Sequence, residues 1–166
     1  VDQILKAHPE YGQVNTSGNH YKSGLDVTNP EAIKYIYSLY DEYMELFEDK
    51  KCIIACGLAG TSKTYIPTAT FADWYRTGKI DKIVLVRPAV SNSKSLGFFA
   101  GSLETKASIW LAPILDVLHR RLGKAVTMLA IEKGDIEFVP LETVKGRSFG
   151  ENTAVIVTEA EDCTKD

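Results

Sequence analysis

The sequence predicts an α/β fold with a mainly parallel sheet, and three observations carry that expectation. Short apolar runs suited to strands alternate with longer segments of helical spacing. The run Cys52–Cys56 passes through a glycine-bearing loop into a helical segment and then into a second apolar run, Lys82–Arg87, a strand–helix–strand order that makes the two strands parallel. Those runs are apolar almost throughout instead of alternating, as expected for strands covered on both faces.

Taken in order, residues 1–28 are polar and mixed, with glycines, asparagines, His8 and His20, and read as an N-terminal arm that packs loosely or against a neighbour. Neither histidine has a partner at metal-ligand spacing, so both read as solvated. Asn29 as cap, Pro30 in the first turn and Glu31 behind it open a helix. In it Ile33, Ile36, Tyr37, Tyr40, Tyr43, Met44 and Phe47 recur at steps of three and four, which reads as one core-facing stripe, with a base-stacking platform as the alternative. Asp49-Lys50-Lys51 closes it before the first strand. A helix is expected from about Lys63 to Thr77, ended by Gly78, with Pro67 early enough to be tolerated. After the strand at Lys82–Arg87 comes a long polar loop, Ser91–Lys106, of a length that compact domains reserve for function or motion. Helices at about 106–122 and 126–133, ended by Gly123 and Gly134, precede an edge-type strand, Ile136–Pro140. The last strand, Ala154–Val157, runs into Thr158-Glu159-Ala160-Glu161-Asp162.

The chain has 166 residues, 45% hydrophobic and 25% charged, enough for one domain with a real core. A formal charge of −3 advertises neither a nucleic-acid nor a membrane partner. Three cysteines, Cys52, Cys56 and Cys163, lack zinc spacing and read as reduced, buried thiols of a cytoplasmic protein. No apolar run reaches the roughly 20 residues of a membrane helix.

The chemistry concentrates in Gly57-Leu58-Ala59-Gly60-Thr61-Ser62-Lys63-Thr64. Glycines let a backbone fold around an anion and turn its N–H groups inward. The helix that follows begins with unpaired N–H groups and the positive end of its dipole. The predicted cradle comprises Gly57, Ala59, Gly60, Thr61, Ser62, Lys63, Thr64 and Tyr65. Lys63 would reach the terminal phosphates of a nucleotide, and the Thr64 hydroxyl would take a Mg²⁺ coordination position. The usual pattern has glycine where Ser62 stands. If the backbone there is left-handed, the serine is strained by roughly 1 kcal/mol or more; if it is helical, it costs little.

Ligands of open α/β sheets sit outside the carboxyl ends of the strands. Three such ends carry polar groups here: the loop, Arg87, and the cluster after Val157. Glu159 could activate water as a general base, the alternative being a solvated acidic turn. Arg87 and Arg147 are each open between gripping phosphate or a nucleic-acid backbone and forming a structural ion pair. Where a metal-binding aspartate is usual, Thr158 brings no charge.

The chain resembles the PhoH-like proteins over about residues 50–163. Beyond the loop, the likeness rests on Val86-Arg87-Pro88-Ala89-Val90, Leu96-Gly97-Phe98, Gly101, Leu103, Lys106, Pro113 and Asp116. It continues through Pro140-Leu141, Gly146-Arg147-Ser148-Phe149 and Glu159-Ala160. The resemblance implies a P-loop NTPase of the RecA-like type, a three-layer sandwich over residues 29–166, with the sheet expected to continue past the Walker B strand. It implies ATP as ligand, Mg²⁺-dependent hydrolysis, a homo-oligomer such as a hexameric ring, and RNA or another nucleic acid as a partner of some relatives. In that setting Lys63, Glu159, Arg87 and Arg147 are the candidate catalytic residues. The family pattern has Gly at Ser62, Asp at Thr158, Gln at Glu161, Asn at Asp162, and an adenine-reading Gln near Ala32. These departures predict a weakened ATPase, with a nucleotide-bound scaffold or RNA-associated subunit as the alternative. A small-substrate kinase is a third reading that no substrate-side residue supports.

Overall fold

A computed structural model of the chain describes residues 2–15, 30–58, 60–88 and 103–162. It divides into two compact units, Val1–Ile66 and Pro67–Asp166.

In the first unit, helix α1 (Asp2–Ala7) precedes strand β1 (Gly12–Asn15), helix α2 (Pro30–Asp49) and strand β2 (Ile53–Cys56). β1 and β2 pair in parallel, Gly12 opposite Ile53 and Asn15 opposite Cys56. Part of the expected loose arm is therefore a strand. Val14 anchors it, fully buried against Leu39, Tyr43 and Ile66. Gly12 permits the close approach of α2, since a Cβ there would lie 2.9 Å from Leu46 Cδ2 and 3.1 Å from Lys50 Cγ. His8 stays at the surface, stacked on Tyr11 at 4.7 Å between centroids and 3.2 Å from Glu10; His20 lies outside the described residues.

α2 does not bury one broad stripe. Leu39 and Tyr43 are buried and Leu46 and Phe47 half-buried, whereas Ile33, Tyr37 and Tyr40 are exposed. Two strands of four residues are too small a sheet to cover more than one face of a 20-residue helix.

Helix α3 (Tyr65–Arg76) starts in the first unit and continues into the second, with Pro67 in its first turn as expected. Gly78, at φ +73°, ends it: its N–H donates to the Tyr75 carbonyl (3.1 Å) and that of Lys79 to the Trp74 carbonyl (2.8 Å). Strand β3 (Lys82–Arg87) follows, then helices α4 (Leu103–Leu122) and α5 (Lys124–Lys133), strand β4 (Ile136–Pro140) and strand β5 (Thr153–Val157). Leu103 already belongs to α4, so the expected loop ends before it; its residues 91–102 lie outside the described residues.

The sheet order is β4-β3-β5, all parallel, with Leu85 between Phe138 and Ile156. β3 is central, which is why Ile83, Val84, Leu85 and Val86 are all buried and read as one apolar run. One face packs Ile83, Leu85, Ile136 and Ile156 against Ala72 of α3, Ile114 and Leu118 of α4 and Ala130 of α5. On the other, Val84, Val86 and Val139 meet Leu141, Val144 and Phe149. The α/β class with parallel strands stands as predicted, but β2 pairs with β1 in a separate two-stranded sheet and is half-buried, so the strand–helix–strand run from β2 to β3 does not form one paired sheet as expected.

Candidate nucleotide site

The loop after β2 folds as a turn with two left-handed residues, Gly60 at φ +76° and Ser62 at φ +64°. The second answers the question the sequence left open. Ser62 holds a conformation that disfavours a Cβ by roughly 1–2 kcal/mol. Two left-handed residues with one residue between them bend the backbone sharply, as the turns that bind anions through their N–H groups do. Thr61 is buried, and its hydroxyl donates to the Leu58 carbonyl at 2.7 Å, tying the loop across its base. The Ser62 carbonyl accepts from the Ile66 N–H at 3.1 Å, the first bond of the helical ladder.

Lys63 bends back into this loop. Its Nζ donates to the carbonyls of Gly57 and Leu58, each at 2.7 Å. The ammonium is thus held by two neutral carbonyl dipoles of its own loop. An ammonium beside the first turn of a helix is a setting that suits a phosphate. Thr64 is half-buried, and Tyr65 exposes its ring at the start of α3. Ala59 lies outside the described residues. Among them, no group of three or more His, Cys, Asp or Glu side chains could hold a metal.

The other candidates belong to the second unit. Thr158 is buried just past β5, where its N–H and its hydroxyl both donate to the Val86 carbonyl, at 2.9 and 3.3 Å. Glu159 is exposed at φ +53°, a left-handed non-glycine residue two positions past the end of the strand. Arg87 ends β3 and is half-buried. Arg147 is committed elsewhere: its Nη2 donates to Glu137 Oε2 at 2.7 Å, while Lys82 Nζ donates to Glu137 Oε1 at 2.7 Å. The bonds from Lys82 and then Arg147 hold the Glu137 carboxyl below its ordinary range. Lys82 is the first residue of β3 and Glu137 faces Val84, so this cluster belongs to the amino-terminal half of the strands. Of the two readings open for Arg147, the structure favours the ion pair. The sequence missed Glu137 as its partner because the two are joined only by strand register.

Cys52 and Cys56 are free thiols, Cys52 being exposed instead of buried as expected. No helix among the described residues is long and apolar enough to cross a membrane.

An apolar parallel strand, a turn built around a caged lysine, and a helix opening behind it define a P-loop protein of the α/β class. Comparison with known proteins agrees. Residues 33–166 match the family described as PhoH-like protein. The chain is 37% identical over 123 residues to the PhoH-like protein of Bacillus subtilis (strain 168), covering 74% of this chain and 38% of that one. It is 36% identical over 124 residues to Protein PhoH of Escherichia coli (strain K12), covering 74% and 35%, and 31% identical over 123 residues to a PhoH-like protein of Synechocystis, covering 74% and 37%. The chain belongs to the PhoH-like protein family. It spans little more than a third of the length of these relatives.

Proposed function

We propose that the chain binds ATP in the loop 57–65 and hydrolyses it slowly in the presence of Mg²⁺, as a cytoplasmic homo-oligomer whose cycle acts on RNA or another nucleic acid. The observation that carries this reading is Lys63, its ammonium caged by the Gly57 and Leu58 carbonyls inside a turn with left-handed residues at Gly60 and Ser62. Exchanging those two neutral acceptors for phosphate oxygens converts dipole contacts into charge-assisted bonds. In this reading Lys63 grips the terminal phosphates, Glu159 takes a proton from the attacking water, and Arg87 offsets charge developing on the transferred phosphoryl group. The Thr64 hydroxyl would hold Mg²⁺, which would supply charge neutralisation when bound.

One observation favours a second reading, a nucleotide-bound scaffold without meaningful turnover. The strand-end residue that would hold the metal is Thr158, and its hydroxyl is occupied by Val86. The two readings part in one experiment: ATP titration, then phosphate release with and without RNA. Lys63→Ala is expected to weaken ATP binding by ~100-fold or more; unchanged affinity sinks the site. Glu159→Gln is expected to keep affinity and lose turnover. Tight binding with no phosphate release in the unmodified chain decides for the scaffold.

A further inference from the structure

We infer that α2 of one copy of this chain docks antiparallel against α5 of a second copy. The inference rests on the homo-oligomer part of the reading above and names the surfaces that would carry it. α2 leaves Tyr37 mostly exposed and Ile33 and Tyr40 partly so, and α5 leaves Val126, Met128 and Leu129 about half exposed. Tyr37 is 66% exposed and Leu129 50%, although both are large apolar side chains in well-formed helices. On α5 this follows from composition: Thr127 and Ala130 face the core, so the bulkier residues of a nearly uniformly apolar helix point outward.

The charges around the two patches are opposite. α2 carries six carboxylates and a single base, Lys34. α5 carries two lysines, Lys124 and Lys133, and a single acid, Glu132. The exceptions match as well as the majority. Set antiparallel with Tyr37 on Leu129, the two helices bring Lys34 to Glu132, three residues away on each, and Tyr40 to Val126. The same register carries Asp41 to the Lys124 end of α5. The seven steps from Lys34 to Asp41 span about 10.5 Å and the eight from Glu132 to Lys124 about 12 Å, close enough for flexible side chains to meet. Apolar contacts at the centre with complementary charges at the rim are the anatomy of a specific interface.

Two helices crossing over two or three turns bury less than the roughly 800 Å² per partner of a standard interface, so the contact is expected to be concentration-dependent. Because α2 meets α5 and not itself, the contact is heterologous: each copy keeps one donor and one acceptor surface for further copies.

Sedimentation velocity over a concentration series tests this with Tyr37→Asp and Leu129→Asp. Both sites are exposed, so far-UV circular dichroism is expected to be unchanged. Each variant alone is expected to stay monomeric, its self-association weakened by ~tenfold or more. An equimolar mixture of the two is expected to form a dimer and nothing larger, since only one intact α2–α5 pair can be made. Lys34→Glu and Glu132→Lys are each expected to weaken association, and the double variant to restore it. If the unmodified chain is monomeric throughout, the homo-oligomer reading falls with this one. If it assembles while either aspartate variant assembles equally well, or the mixture stays monomeric, only the α2–α5 assignment is overturned.

Discussion

Thr158 spends both its N–H and its hydroxyl on one acceptor, the Val86 carbonyl, at 2.9 and 3.3 Å. The contact stitches the carboxyl ends of β5 and β3 and leaves the hydroxyl aimed at the protein. Thr158→Val keeps the shape and is expected to cost about 1 kcal/mol, the worth of one neutral hydrogen bond. Mg²⁺-dependent nucleotide affinity is expected to stay within about twofold; a larger fall measured by calorimetric titration assigns Thr158 to the metal. Thr158→Asp is the converse. It introduces a carboxylate at a strand end, is expected to lower stability by about 1–3 kcal/mol, and to raise ATP turnover by ~tenfold.

Ser62 is a serine in a glycine conformation, at φ +64°. Ser62→Gly relieves roughly 1–2 kcal/mol of backbone strain, partly offset by the greater freedom glycine gives the unfolded chain. A net gain of about 0.5–1 kcal/mol is expected in denaturant unfolding. Ser62→Ala keeps the strain, so it is expected to bring no such gain. If alanine and glycine stabilise equally, the strain is not stored at this residue.

Arg147 and Lys82 share the Glu137 carboxylate at 2.7 Å each. The cluster is partly exposed, so Arg147→Ala is expected to cost no more than about 1 kcal/mol. Its effect on ATP turnover is expected to be within about twofold, because the side chain is held by a strand-face carboxylate. The pH dependence gives a second readout. Glu137 has a depressed folded-state pKa, so its contribution is present above the ordinary carboxylate range and is lost as pH falls through the folded value. Arg147→Ala is expected to flatten that acid limb. A large loss of turnover with normal stability returns Arg147 to the catalytic set.

How much of this was legible in the sequence follows from what each element needs from its neighbours. β3 read correctly because the central strand of a parallel sheet is an apolar run. β5 read correctly as a strand but not as a buried one, since it lies at the sheet edge with Val155 and Val157 exposed. Gly78 and Gly134 marked helix ends because left-handed caps need glycine. The loop was legible as a turn because glycine marks one of its two left-handed positions, Gly60. β1 did not, since four residues with one buried anchor, Val14, give no alternation to count. The stripe on α2 was misjudged for a related reason. Helical spacing reports that Tyr37 and Tyr43 lie on apolar faces, but not which face the small β1–β2 sheet covers. Arg147 and Glu137 are paired by the fold and not by spacing, and Ser62 needed coordinates to show its backbone sign.

Tyr43 is the side chain whose environment makes the sharpest demand on solution behaviour. It is 1% exposed, packed with Val14, Leu39 and Ile66, and its hydroxyl has no hydrogen-bond partner among the described residues. Burial first, and then the neighbouring Glu42 and Cys56, push its pKa from 10.0 up to about 12. A raised folded-state pKa means the native state holds the proton more tightly than the unfolded chain does. Its contribution is complete below pH 10 and is lost as pH rises toward the folded value of about 12. The loss amounts to about 2–3 kcal/mol at order of magnitude. Tyr75, bonded to Asp135 at 2.8 Å, is also raised to about 12 and adds to the same slope. Tyr43→Phe is therefore expected to remove about half of the alkaline loss between pH ~10 and ~12. At neutral pH it is expected to be neutral or stabilising by up to about 1 kcal/mol, because it deletes a hydroxyl that was desolvated without a partner. Urea unfolding at pH 7 and pH 11 measures both quantities, and a destabilised Tyr43→Phe at pH 7 means that the hydroxyl has a bonding partner in solution.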